Sequence, residues 1–479
     1  MARRTTRVPS ASPVSVGTLL PDPTFYPSPR LAAKAPPETT AFVAIINPAD
    51  DGRPDALGVV DCDPTSDRYG TLVGRLDLSY AGDELHHFGW NACSSALCPY
   101  APHPHVERRF LIIPGLRSSR IYVVDTKPTA AEGGPNIVKV IEPDELAAKT
   151  GYSRPHTVHC GPEGIYVSAL GSPEGGGPGG IFLLDHETFE PLGRWEIDRG
   201  PQFLAYDFWW HLGWDTMLTS EWGTPDLIEN GLNLEALLQK RYGRNVHVWD
   251  LRRRRHLQTL PVAEDDQLVL ELRPAHDPTK TYGFVGVVVS LTDLSSSVYL
   301  WRREGERWTL TKVISIPAEP ADPDLLPPAL KQFGAVPPLV TDIDLSVDDR
   351  FLYVSCWGTG EMRQYDVSDP SAPRLTGSVH MGGIVRHAAH PKSGPLNGGP
   401  QMVEISRDGK RVYITNSLYL PWDGQFYPEG IRGWMAKLDV GPEGGIAPDP
   451  NFFLDFGAER AHQVRLQGGD ASSDSYCYA

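Results

Sequence analysis

Thirteen consecutive residues, Asp83-Glu84-Leu85-His86-His87-Phe88-Gly89-Trp90-Asn91-Ala92-Cys93-Ser94-Ser95, hold two adjacent imidazoles, two carboxylates and a thiol. That density of reactive groups marks a site. Imidazole nitrogens suit zinc, copper, iron or nickel, and such an ion needs more donors than one strand offers. Neighbouring side chains of a strand point to opposite faces, so His86 and His87 can share a cavity only if the backbone turns or bulges between them. The second candidate is Arg154-Pro155-His156-Thr157-Val158-His159-Cys160. Its H-x-x-H spacing would align both rings on a helix, but Pro155 and the β-branched Thr157-Val158 favour extended chain. There too, only an irregularity would aim His156 and His159 inward together. His462 and His276 are the third and fourth candidates. Cys93 is the leading thiol because of its neighbours, against the alternative of a small buried hydrophobe. His387 and His390 repeat the H-x-x-H spacing but run into a Gly/Pro-rich loop, which predicts solvated rings.

These residues need a frame that brings distant segments together. From Thr40 onward, short β-branched and aromatic runs bounded by turn residues recur to the end of the chain. Phe110-Leu111-Ile112-Ile113 leads through a turn to Ile121-Tyr122-Val123-Val124-Asp125. The scheme returns at Gly164–Asp185, Asn245–Asp250, Arg350–Val367 and Lys410–Val440. Ser346-Val347-Asp348-Asp349-Arg350 and Ser406-Arg407-Asp408-Gly409-Lys410 precede their strands in matching positions. A repeat of roughly 40–60 residues built from strands predicts an all-β propeller of six or seven blades, with short helices in its loops. Helix-forming residues at 144–150 and 232–240, and a Pro-interrupted stretch at 324–333, are the candidates for those helices. In a propeller the inner strands converge on one axis, so histidines far apart in sequence can meet. Residues 1–40, rich in Pro, Ser, Thr and Ala, read as an extended or disordered arm, and residues 41–479 as one propeller domain. Tyr206-Asp207-Phe208-Trp209-Trp210 and Ser220-Glu221-Trp222-Gly223 combine acids with aromatics and are expected as packing between blades rather than as a pocket wall.

Composition removes several classes of function. The 479 residues carry a formal net charge of −16, which disfavours nonspecific nucleic-acid binding and an anionic membrane surface. The chain has no run of ~18 apolar residues, which excludes a transmembrane helix. Arg3-Arg4 lacks the apolar core of an export signal. Six scattered cysteines predict a reduced, cytoplasmic chain. The glycine-rich loop at 171–180 lacks the Lys and Ser/Thr of a phosphate-binding loop and reads as a turn.

Several motifs together resemble the selenium-binding protein family, whose members include methanethiol oxidases. In the N-terminal half they are Asp83-Glu84-Leu85-His86-His87, Gly89-Trp90-Asn91 with Cys93-Ser94-Ser95, Ser118–Asp125, His156-Thr157-Val158-His159-Cys160 and Tyr206-Asp207-Phe208-Trp209. In the C-terminal half they are Gly398-Gly399-Pro400-Gln401-Met402, Gln425-Phe426-Tyr427-Pro428 and Gly468-Gly469-Asp470. The resemblance implies a seven-bladed propeller that oxidises methanethiol with dioxygen and water to formaldehyde, hydrogen sulfide and hydrogen peroxide. It implies copper as cofactor, a small thiol and dioxygen as partners, and His86, His87, His156, His159 and His462 as the metal residues. Glu84, Glu221 and Cys93, with Asp83, are then the expected groups for proton and thiol chemistry. Gly70, Ala96 and Ala471 stand where family cysteines would align, which argues against selenium binding. The rival expectations are an iron-dependent propeller oxygenase and a noncatalytic propeller that binds selenium or proteins.

Overall fold

Each β-branched or aromatic run forms a strand, and the strands pair antiparallel in seven sheets of four. The computed structural model describes residues 20–99, 101, 103–127, 134–161 and 163–479. The sheets are the blades of the expected propeller, arranged in chain order around an axis. Their inner strands, counted from blade 2 to blade 7, are Gly89–Trp90, Ser153–Cys160, Phe208–His211, Asp266–Pro274, Val340–Leu345 and Val403–Ile405. Blade 1 takes its outer three strands from Thr40–Ile46, Ala56–Asp61 and Leu72–Asp77, and its inner strand, Arg460–Leu466, from the far end of the chain. The ring is thereby closed by pairing the first strand with the last. Between blades, apolar faces pack on one another, as where Val43, Ile45 and Val60 meet Tyr413 and Met435.

The loops differ at the two ends of the axis. At the end where inner strands begin, the connections are long and carry the helices Pro143–Thr150, Leu234–Leu238 and Leu420–Phe426. The first two match the expected helical stretches. The 324–333 stretch forms two separate 3-10 turns, Pro323–Leu325 and Lys331–Phe333, because Pro327 and Pro328 between them lack the N–H that a continuous helix needs. At the opposite end the segment after Leu466 folds over the channel. Asp474 there accepts from Ser94 N (2.9 Å) and Arg108 Nη2 (2.9 Å), and Ser472 Oγ donates to Glu404 (2.6 Å).

Of the proposed arm, residues 1–19 lie outside the described residues, and residues 20–39 lie against the propeller. Phe25 is buried with Ala92, Ala96 and Val106, and Glu38 is buried between Arg407 and Arg411, accepting from Arg411 Nη2 at 2.6 Å. The expectation of reduced thiols needs correction. Cys62, Cys93, Cys160 and Cys356 are free and buried, but Cys98 and Cys477 form a disulfide. Ring closure brings these positions, 379 residues apart, to a Cα separation of 5.5 Å, within disulfide range, and no local spacing could show that. No helix among the described residues is long and apolar enough to cross a membrane.

His276, a candidate by sequence, has a structural duty. Nδ1 lies 3.1 Å from Asp349 Oδ1 and Nε2 lies 2.8 Å from the Ala471 carbonyl oxygen. Both partners are acceptors, so both nitrogens carry protons and the ring is an imidazolium. Burial acts to lower its pKa, but the hydrogen bond and charge of Asp349 outweigh burial and raise it. Burial would likewise raise the Asp349 pKa, and His276 and Lys280 hold it below the usual range. The histidine contribution is present below its unfolded pKa of about 6.5 and is lost as pH rises through the raised folded value. The aspartate contribution is present above about 3.9 and lost as pH falls through the depressed one. His276→Gln should therefore lower the melting temperature most between about pH 4 and 6.5 and least at alkaline pH. Equal losses at pH 5.5 and 9 in thermal melts would contradict the ion pair.

Candidate metal centre

The channel mouth at the beginning of the inner strands collects histidines from three blades. The segment before the blade 2 inner strand is pinned residue by residue. Asp83 accepts from Arg120 Nη1 (2.7 Å) and Tyr122 OH (2.5 Å), and Glu84, at φ 53°, accepts from Arg117 Nε (3.0 Å) and Leu420 N (2.6 Å). Leu85 N donates to Asp55 (2.9 Å) and Phe88 N to Gln463. Held this way, the chain runs irregularly through His86 and His87, whose rings stack at 4.9 Å and 16° and face one cavity. On blade 3 the ladder slips between Pro155 and Val158. These are the two irregularities that the spacing demanded. A β-carbon on Gly89 would strike the Val158 carbonyl oxygen, so only glycine lets blades 2 and 3 approach closely enough. Gly89→Ala should cost about 1–3 kcal/mol of stability by overpacking, read as a lowered urea midpoint; an unchanged midpoint would show that the blades can separate freely.

His86, His87 and His156 bring one ring nitrogen each to within 4.8 Å of one another. His462, from the closing strand, lies against them, with ring centroids 3.8 Å from His86 and 5.6 Å from His87. His462 Nδ1 donates to the Ser417 carbonyl (2.6 Å), which leaves Nε2 free to accept from His86 Nδ1 at 3.1 Å. His156 Nδ1 pairs with Thr157 Oγ1 at 3.0 Å. The Nε2 atoms of His86, His87 and His156 are then buried with no hydrogen-bond partner. Burial, reinforced by the neighbouring rings, drives the pKa values of all three well below the usual imidazole value, and burial takes His462 down to about 4. All four rings are neutral near pH 7, and His86, His87 and His156 each keep an unshared Nε2 lone pair. Unpartnered, neutral, convergent imidazoles are what a borderline metal ion requires, so the residues present fit one.

The other expected residues are placed differently. His159 lies deeper, against Trp209 (3.9 Å between ring centroids), with Nε2 unpartnered and 3.9 Å from Asp207 Oδ1. Glu84 is committed to Arg117 and the Leu420 amide, and burial pushes its pKa to about 7. Glu221 is bonded to His247 (2.9 Å) and to the amides of Arg244 and Asn245 (3.0 Å each) on blade 4. Cys93 Sγ lies 3.2 Å from the Cys160 carbonyl oxygen. Burial acts to raise its pKa, but hydrogen bonding to Cys160 and Ser95 and the charge of Arg108 keep it below the usual thiol value. His390 is buried and stacked on Phe453 at 4.8 Å rather than solvated, because the Gly/Pro-rich loop folds back onto blade 7. The 206–210 motif divides: Phe208 and Trp210 pack between blades, whereas the Tyr206 ring lies 4.3 Å from His156 and forms part of the cavity wall.

Sequence reasoning missed what lies beneath the histidines. Glu271 Oε1 stands 3.6 Å from His87 Nε2 and accepts from Tyr206 OH at 3.0 Å. Arg273 then contacts Glu271 (3.1 Å), Asp342 (3.3 Å), Asp344 (3.3 Å) and Asp207 (3.5 Å), and Arg465 bonds Glu404. These groups are buried. Burial pushes Glu271 to about 8 and Asp344 to about 6. The signal was in the strands: Leu270-Glu271-Leu272-Arg273, Thr341-Asp342-Ile343-Asp344-Leu345 and Val403-Glu404-Ile405 alternate charged with apolar residues, which marks a strand facing a polar channel on one side and a neighbouring blade on the other.

Fold and site together define a seven-bladed propeller with a polyhistidine centre at one end of its channel. The chain belongs to the 56 kDa selenium binding protein (SBP56) family, whose model matches residues 19–477. It is 41% identical to the methanethiol oxidase of Rattus norvegicus over 478 residues, 94% of this chain and 97% of the relative. It is 38% identical to selenium-binding protein 3 of Arabidopsis thaliana, over 94% of this chain and 96% of that protein. Among solved structures, a hypothetical selenium-binding protein from Sulfolobus tokodaii shares 60% identity and superposes with a TM-score of 0.93, covering 96% of this chain and 100% of that one. A periplasmic gluconolactonase from Pseudomonas aeruginosa, 12% identical with a TM-score of 0.55 over 89% of this chain and 98% of its own, shares the fold alone.

Proposed function

We propose that the protein is a methanethiol oxidase that converts methanethiol, dioxygen and water to formaldehyde, hydrogen sulfide and hydrogen peroxide, with copper held by His86, His87, His156 and His462. The observation that carries this reading is the set of buried, unpartnered Nε2 atoms at the channel mouth. Copper bound there would supply a redox-active centre with affinity for thiolate sulfur. The protein residues do the rest. The Ser417 carbonyl and Thr157 hydroxyl fix ring orientation from behind, as partners of metal-bound histidines do. Tyr206, Trp222 and Tyr419 supply an aromatic wall that excludes bulk water. Glu271, with its pKa raised to about 8, can hold a proton at Oε1 beside His87 near neutral pH. It is better placed for acid-base work than Glu84 or Glu221 because its Oε1 stands 3.6 Å from His87 Nε2.

The test is metal content of protein produced with copper supplied, combined with assays of hydrogen sulfide and peroxide released from methanethiol. Near-stoichiometric copper with both products in equal amounts is the expected result. Stoichiometric iron without thiol turnover, or no retained metal after reconstitution, would overturn it.

A further inference from the structure

The end of the propeller opposite the polyhistidine centre carries a second group of imidazoles. There the loop at 91–109 joins the first two strands of blade 2, and the hairpin at 185–190 joins the last two strands of blade 3. Each is shaped by local bonds. Val106 N donates to the His103 carbonyl (3.4 Å) across a turn whose second residue is Pro104, the place its fixed φ suits. Asp185 Oδ1 accepts from the amides of Glu187 (3.0 Å) and Thr188 (2.8 Å), and Phe189 N bonds back to the Asp185 carbonyl (3.0 Å). These turns bring one ligand atom each of His103, His105 and Glu187 to within 4.8 Å of one another.

Three observations point to an ion. First, two imidazoles and a carboxylate are a donor set that zinc takes. Second, the spacing suits one. A tetrahedral ion with bonds of about 2.0–2.1 Å holds its donors roughly 3.4 Å apart, and His105 Nε2 stands 3.3 Å from Glu187 Oε1. Those two side chains are 38% and 57% exposed, so an ion can reach them from solvent and the donors have room to close in. Third, the His186 ring lies against His103, 5.0 Å between centroids, and is buried with Nδ1 lacking a hydrogen-bond partner. Burial takes its pKa down to about 4, so near pH 7 it adds a lone pair and no positive charge. A buried nitrogen left unbonded is costly unless something engages it. A surface ion pair between His105 and Glu187 would account for neither His103 nor the orphaned nitrogen of His186.

We propose that His103, His105 and Glu187 hold a divalent ion of the zinc class, with His186 or water in the fourth place. The ion fastens the blade 2 loop to the blade 3 hairpin, on a loop that the Cys98–Cys477 disulfide and the Arg108–Asp474 pair already tie to the C-terminal segment. This site shares no residue with the channel centre and does not depend on the copper reading.

The test titrates zinc calorimetrically into copper-supplied wild-type protein and into the His103→Ala/His105→Ala double variant. The double variant is expected to bind one zinc per chain fewer, whether or not the channel histidines also take the metal. His105→Ala and Glu187→Gln alone should each weaken that zinc by more than about tenfold, since altering a residue that only orients a ligand already costs that much. Zinc should also raise the melting temperature more in the wild type than in the double variant, because an ion that binds only the folded chain stabilises it. Equal stoichiometry and affinity in the two proteins, or an equal rise in melting temperature, would overturn the proposal. So would zinc that is lost in His156→Ala and kept in the double variant, which would assign all of it to the channel. Copper content and methanethiol turnover of the same samples report on the oxidase reading separately, and their absence beside a lost zinc would overturn that reading and leave this site standing.

Discussion

Arg273→Met destabilises the protein by about 3–5 kcal/mol at neutral pH, the cost of removing one partner from a buried ion cluster. Among the described residues the guanidinium is the one cation in contact with Glu271, Asp207, Asp342 and Asp344 together, and a methionine of similar length fills the space without the charge. The sign of the pH dependence distinguishes this loss from a packing defect. Burial already raises the carboxyl pKa values, to about 8 for Glu271 and about 6 for Asp344, with the charge of Arg273 opposing the rise. A carboxyl with a raised folded-state pKa favours the folded state fully below its unfolded value, near 4, and loses that advantage as pH rises through the folded value. Without Arg273 those values rise further. The gap between variant and wild type should therefore be small at pH 4.5 and widen up to pH 8 or beyond. Urea titrations at both pH values measure it. A gap of equal size at both would mean that Arg273 acts through its hydrocarbon stem.

The second large effect is expected at His156. Its ring centroid lies 4.7 Å from that of His86 and 4.2 Å from that of His87, and its Nε2 is buried without a partner. Altering a residue that merely orients a metal ligand costs 10–100-fold in affinity or activity, so His156→Ala, which deletes a donor, should lower copper retention and methanethiol turnover by more than about 100-fold. The fold should survive, because the blade 3 ladder and the Thr157 N to Ser168 Oγ bond of 2.9 Å do not involve the ring. Metal analysis after dialysis, turnover and far-UV circular dichroism separate the outcomes. A folded His156→Ala protein that keeps its copper and its activity would place the centre elsewhere.

The propeller was legible because strand-turn-strand units ending in aspartate repeat at even intervals, and each repeat is a local pattern. The histidines were legible because His86-His87 and His156–His159 are pairs, and His462 because family motifs flag it. Which acids serve them was not. Glu84 and Glu221 lie beside histidines or aromatics in sequence, yet Glu84 turns its carboxylate to Arg117 and the Leu420 amide, and Glu221 turns its own to His247 and the amides of Arg244 and Asn245. Glu271, nearly two hundred residues from His87, meets it only because inner strands share an axis. The disulfide escaped notice for the same reason: distance along the chain says little about distance across a closed ring.

Closure by the Arg460–Leu466 strand has a consequence for biosynthesis. His462 and the strand that completes blade 1 arrive together, after all the other blade strands have left the ribosome. A nascent or prematurely terminated chain can form blades 2 to 7 and present His86, His87 and His156, but it lacks both the fourth imidazole and the lock that fixes blade 1 beside blade 7. The four-histidine cluster is thus assembled only once the closing strand has been made and has paired with Thr40–Ile46.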